Sequence, residues 1–190
     1  MDFSSAKDQV SATLVTKPGL SDTVGAGGVY TVECVGPDGQ VKWSDQFHNL
    51  VMNGGLANMN GAYFAGSAQT TTWYLGLVEG PGSGTTYAAG NTLASHSGWT
   101  ELVPGTAYTG NRPAVTFGSP TSANPSVITS SAVSYSMLVN STVVAGAFLC
   151  TVSSGTSGTL FSAGSFSGGN KSVDSGDTLN VTYSFSLTGS

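Results

Sequence analysis

Charge is what this sequence has least of. Only 8% of its residues are Asp, Glu, Lys or Arg, against about 25% in an average soluble domain. The five cations, Lys7, Lys17, Lys42, Arg112 and Lys171, are scattered along the chain. No basic cluster exists to neutralise a run of phosphates, which argues against direct nucleic-acid binding. The same scatter argues against attraction to an anionic membrane. Cysteine is scarcer still, with Cys34 and Cys150 alone. Two thiols without a C-x-x-C spacing make neither a metal site nor a disulfide framework. One bridge between them is open, but each lies in an apolar, strand-like run and reads as a buried free thiol behaving as a small hydrophobe. No apolar run approaches the ~18 residues of a membrane span. The opening Met1-Asp2-Phe3-Ser4-Ser5 has no basic stretch followed by an apolar one, so no signal peptide is expected.

What is present is enough for one globular domain. The chain has 190 residues, 39% of them hydrophobic, and a formal net charge of −5. A chain of this length buries roughly two-thirds of its unfolded surface, so folding requires no cofactor, and none is expected. Ser, Thr, Asn and Gly fill the polar positions in place of Lys and Glu. A surface dressed in hydroxyls has little charge repulsion to keep copies apart, and it suits ordered assemblies or extracellular exposure.

Residues 1–10 are polar and weakly patterned, and read as an N-terminal arm, flexible alone or ordered by a neighbour. Residues 11–190 read as a single β-sandwich domain. Residues 11–16 suit a short strand, and residues 17–28, rich in Gly, Pro and Ser, a loop. Residues 29–35 alternate, with Tyr30, Val32 and Cys34 on the apolar face. Gly36-Pro37-Asp38-Gly39 is a turn signal, and residues 41–47 alternate again with Val41, Trp43 and Phe47 on one face, which completes a hairpin. Leu56, Met59 and Tyr63 are spaced by three and four, predicting one short helix that starts near Asn53, is broken by Gly61 and plugs one end of the sandwich. Residues 72–78, 112–117, 133–139, 143–152, 158–166 and 178–187 read as further strands, and Thr92–Ser95 as a helical turn with Asn91 as its cap. In the last strand Leu179, Val181, Tyr183, Phe185 and Leu187 face one way, the mark of an antiparallel sheet dry on one side. The fold class is therefore all-β: an antiparallel two-sheet sandwich, jelly-roll-like, of roughly eight to ten strands with one short helix.

Chemistry is thin. A histidine base for nucleophilic catalysis is limited to His48 and His96. Ser95-His96-Ser97 places hydroxyls beside an imidazole, but neighbours on a turn seldom aim at one another. Glu79 and Glu101, on the rims of long loops, are the candidates for a paired-carboxylate glycosidase. Asp174-Ser175-Gly176-Asp177-Thr178 offers oxygens to Ca²⁺ but lacks the third acid and the spacing of a calcium loop, and it reads instead as a tight turn feeding the final strand, with Gly176 at positive φ. Trp73-Tyr74 and Trp99 suit either a sugar-stacking platform or the core. No catalytic residue, cofactor site or metal site is assigned, and the chain reads as a non-enzyme.

Several blocks recur together: His48-Asn49-Leu50-Val51 with Asn53-Gly54-Gly55-Leu56; Trp73-Tyr74-Leu75-Gly76-Leu77; the run AAGNTLASHSGWTE from Ala88 to Glu101; Arg112; Gly146-Ala147-Phe148-Leu149; and GDTLNVTY from Gly176 to Tyr183. In this order and spacing they resemble a family of small proteins encoded among tailed-bacteriophage structural genes, over about residues 48–185. The resemblance implies a virion structural protein. A small acidic sandwich without a fibre repeat is most like a capsid decoration (cement) protein. Such proteins sit on the capsid exterior, commonly as homotrimers, and bridge neighbouring major capsid protein subunits. Assembly in the host bacterial cytoplasm is then expected, in keeping with free cysteines. A tail, baseplate or fibre-associated role and a carbohydrate-binding module stay open. Within the shared blocks, His96, Trp99, Glu101 and Arg112 are the candidate loop clamp or subunit contact. Trp99 anchors the loop, and Arg112, the sole arginine, is the natural bidentate partner of Glu101.

Overall fold

The computed structural model of the chain describes residues 24–80 and 85–189. The expected arm over residues 1–10 and the expected strand over residues 11–16 lie outside the described residues. The architecture is built around the last strand of the chain. Strand β1 (Val24–Val35) pairs antiparallel with β12 (Thr178–Gly189) along its whole length, from Val24 opposite Gly189 to Val35 opposite Thr178. The strict alternation of β12 buries Leu179, Val181, Tyr183 and Phe185 and leaves Asn180, Thr182 and Ser184 outward. Leu187 shares the inward face but sits at the sandwich end, 39% exposed. Strand β2 (Val41–His48) folds back on β1 across the expected turn. Strands β7 (Ser126–Thr129) and β8 (Val133–Ser136) pair in succession with the other edge of β12.

The second sheet runs in the order β3 (Leu50–Val51), β10 (Leu160–Ser165), β9 (Thr142–Cys150), β4 (Trp73–Glu79) and β5 (Thr100–Glu101). Strand β11 (Lys171–Val173) joins β9, and β6 (Ala114–Val115) joins β4. Every pairing of named strands is antiparallel, and the described residues hold twelve strands and one helix, α1 (Asn53–Phe64). The all-β, two-sheet antiparallel sandwich with one helix is the class expected from the sequence. The strand number exceeds eight to ten because β3, β5, β6 and β11 are two- or three-residue ladders, too short to show a period.

Several local expectations are corrected. Residues 24–28, read as loop for their glycines, are the first rungs of β1. Gly28 is required there, because the Tyr183 ring occupies the space its Cβ would need. The helix is not broken at Gly61. It runs to Phe64 and ends where Gly66 takes φ 67°, the left-handed turn that glycine adopts freely. It covers the sandwich end only in part: Gly55 is buried close against Phe161 and Met59 packs on the core, while Leu56, Tyr63 and Phe64 are exposed. Finally, no helical turn forms over residues 92–95. Thr92 and Ser95 exchange backbone hydrogen bonds, and Asn91 Oδ1 turns back to the Ala88 N–H instead of capping forward. Residues 112–117 carry only the two residues of β6 as ladder.

The core has two parts. Between the sheets lie Tyr30, Val32, Cys34, Leu75, Leu77, Tyr135, Leu149, Val181 and Tyr183 among others. A second cluster, Met52, Val78, Leu93, Trp99, Ala145, Phe148, Cys150, Leu160 and Ala163, lies on the opposite face of the second sheet. That sheet is therefore covered on both sides, which explains why β9 and β4 are nearly continuous apolar runs. Cys34 and Cys150 are both free and buried, one in each cluster.

Candidate functional site

The cover on the outer face of the second sheet is the loop between β4 and β5, the segment that carries His96, Trp99 and Glu101. Its local chemistry holds it down. Trp99, 4% exposed, packs its ring 5.1 Å from Phe148 and donates Nε1–H to Asn91 Oδ1 at 3.3 Å. Gly76 leaves the floor of β4 flat beneath the Phe148 ring, and a Cβ there would strike it. His96 stacks on Trp99 with ring centroids 3.8 Å apart and 18° between planes. Its Nδ1 lies 2.9 Å from the Trp99 carbonyl oxygen. A carbonyl only accepts, so Nδ1 carries the hydrogen. Thr92 Oγ1 accepts from the Ser95 N–H at 3.0 Å and closes the intervening turn. On the far side of the loop, Ser165 Oγ meets both Tyr87 Oη and Thr85 Oγ1.

The loop returns to the sheet at β5, where Glu101 meets Arg112. The guanidinium donates Nε–H to Oε1 and one Nη2–H to Oε2, both at 2.6 Å. Its other hydrogen bonds go to the carbonyls of Val152 at 3.1 Å and Gly155 at 3.0 Å. Its carbon centre stands 5.4 Å from the Phe148 ring centroid, in reach of the ring's negative face. Side-chain exposure is 2% for Arg112 and 21% for Glu101. Burial works against the Arg112 charge, but the Glu101 carboxylate outweighs it and holds the guanidinium pKa above its ordinary value. Three segments thus meet at one cation: β5, the approach to β6 that carries it, and the turn after β9.

Of the sequence candidates, the structure brings His96 onto Trp99 and Glu101 onto Arg112 as two contacts within a single chain. Glu79 is not joined to Glu101. Glu79 stands opposite Thr100 and Glu101 opposite Val78, so the two carboxylates leave the ladder on opposite faces, and a cleft-spanning acid pair is not formed. His48 is exposed at the end of β2. Trp99 lies beneath His96 and is not presented to solvent as a platform. The 174–178 segment is a built turn with Gly176 at φ 88°. Asp177, 1% exposed, accepts from the Asp174 N–H at 2.9 Å and from Lys42 Nζ at 2.7 Å. Burial opposes ionisation of Asp177, yet Lys42 and the backbone N–H outweigh it and lower its pKa.

Sequence reasoning missed Phe148, Gly76, Asn91 and Met52 as parts of this site. The signal was the apolar run of β9, which alternates nowhere from Val143 to Cys150 and so announces a sheet buried on both faces. It also missed the exposure of Tyr63 and Phe64, for which a helix without a consistent apolar face gave no signal. Searches of family models, curated proteins and solved structures return no match to this chain.

Proposed function

We propose that the chain is a virion structural protein: a decoration protein that lies on the outside of a tailed-phage head and stabilises contacts between major capsid subunits. The sequence blocks that resemble phage structural proteins suggest it, and one structural observation carries it. The outward face of the first sheet is broad and almost uncharged. It presents Thr31, Ser44, Gln46, Thr129, Ser134, Asn180, Thr182, Ser184 and Ser186, with Glu33 and His48 as its ionisable groups. Neighbours on this face already bond one another: Thr129 to Ser184 at 2.8 Å, Ser134 to Asn180 at 2.7 Å and Gln46 to Thr31 at 3.3 Å. Hydroxyls satisfied among themselves lose little when water is displaced by another protein, and a neutral face avoids the cost of desolvating ions. Many copies on one shell turn such modest contacts into a large total.

The test is cosedimentation with mature heads stripped of the protein. Saturable binding at a fixed ratio per capsid subunit is expected, together with a higher temperature for head disruption. Failure to bind heads, or binding confined to tails, contradicts the proposal and moves the chain to the tail or baseplate.

A further inference from the structure

We propose that the end of the sandwich carrying Tyr63 and Phe64 is where a second copy of this chain binds. The reasoning starts from a helix row that runs out of protein. Gly55 is buried against Phe161, Met59 one turn later is half-buried, and Tyr63 one turn further is 85% exposed. Phe64 beside it is 80% exposed, and the two rings meet edge to face at 5.1 Å. The row that packs on the sandwich at its start thus projects beyond it at its end. Next to it lies an apolar cleft of about 290 Å³, lined by Met59, Trp73, Phe117, Ile128, Phe161 and Phe185 with their neighbours. An aromatic knob and an aromatic-lined hollow therefore sit side by side on one surface.

Shape and charge together point to the occupant. Residues 49–78, 113–170 and 178–190 contain no Asp, Glu, Lys, Arg or His, and every residue lining the cleft comes from these stretches. Of the described charges, Glu33, Asp38, Lys42, Asp174 and Asp177 gather at the opposite end, around the β1–β2 turn and the start of β12. Contact through that charged end sets Glu33, Asp38, Asp174 and Asp177 of one copy against those of the other, a cost the cleft end does not carry. Through this end, two copies meet without burying a like charge. A partner of different sequence gains nothing here from electrostatic steering, which usually sets specificity. The knob and hollow of this patch are complemented by the hollow and knob of the same patch on a second molecule, and a self-complementary contact needs no more. Area is sufficient. Aromatic side chains offer about 150–250 Å² each, so Tyr63 and Phe64 supply roughly 250–400 Å² at their exposures. Leu56, the cleft rim and the exposed residues 65–69 extend this toward the ~800 Å² per partner of a stable interface.

The test is sedimentation velocity on the full chain over a range of micromolar concentrations. The wild-type protein is expected to sediment as a multiple of 19.1 kDa. Tyr63→Glu with Phe64→Glu is expected to give the monomer, with association weakened at least tenfold. Tyr63→Ser with Phe64→Ser should weaken it in the same direction, without new charge. Neither pair should move the thermal unfolding of the monomer, because both rings are exposed. Val41→Glu, at an exposed position on the charged end, should leave the oligomer intact. A wild-type monomer at every concentration overturns the proposal, as does a double variant that assembles like the wild type. Equal disruption by Val41→Glu overturns it too. None of these outcomes depends on whether the protein binds a capsid.

Discussion

Removing Glu101 should damage this protein more than removing Arg112, although the two form one pair. The asymmetry follows from burial. Arg112 is 2% exposed and Glu101 is 21% exposed. In Glu101→Ala a guanidinium stays inside with the Val152 and Gly155 carbonyls as its remaining hydrogen-bond partners. Stripping one partner from a buried pair costs about 3–5 kcal/mol. In Arg112→Met the methionine keeps apolar contact with Phe148, and the Glu101 carboxylate regains water through its exposed edge. The loss is then about 2–3 kcal/mol, near that of hydrogen bonds to a charged group. The double variant leaves no stranded charge, so its loss should fall short of the sum of the singles by about 2 kcal/mol, within the range for residues in direct contact. Urea unfolding at pH 7 measures all three. A domain of this size shifts its Tm by about 2–4 °C per kcal/mol, so Glu101→Ala should melt roughly 6–20 °C below wild type. Additivity within about 0.5 kcal/mol, or a smaller loss for Glu101→Ala than for Arg112→Met, would refute the reasoning.

Three further outcomes follow from the same structure. Gly76→Ala drives a methyl into the Phe148 ring and should cost at least the ~1–3 kcal/mol of overpacking, whereas Gly90→Ala, with open space at its Cβ, should be near neutral; equal urea midpoints for the two would contradict the packing described. Asp45 resembles Asp177 in acid: burial opposes its charge, but Ser167, the Gly168 N–H and Lys171 lower its pKa. A lowered folded pKa means stabilisation that is complete above the unfolded value of about 4 and drains away as pH falls through the folded one. Urea midpoints should hold level from pH 7 to 5 and drop below 4, less steeply in Asp45→Asn; a flat profile to pH 3 would count against both anchors. Burial, with Asp177 beside it, pushes the Cys34 thiol up to about 11, and burial raises Cys150 as well. Neither should react with a thiol reagent at pH 8 until the chain is unfolded, and rapid labelling of the native protein would contradict their placement.

The parts of the fold legible in the sequence were those with an uninterrupted period and one wet face. The last strand and the hairpin over Gly36–Gly39 show alternation because one side meets water. Residues 24–28 hid theirs, because glycine has no side chain to alternate and the need for it arises from Tyr183, more than 150 positions later. The Glu101–Arg112 pair was readable from scarcity: a lone arginine near a loop acid leaves few arrangements. The stacking of His96 on Trp99 and the role of Asn91 were not readable. They depend on a loop lying across a sheet face, and nothing local distinguishes a core aromatic between the sheets from one outside them. The thwarted helix turn at Thr92–Ser95 has the same cause, since Asn91 is drawn to the Trp99 indole and the Ala88 N–H.

Location tests the central claim most directly. The account predicts that virions prepared from the source of this chain, labelled with antibody raised against it and imaged by electron microscopy, carry label over the whole head at high and uniform density. Label restricted to the tail or baseplate, or absent from virions that the antibody demonstrably reaches, would contradict the decoration role.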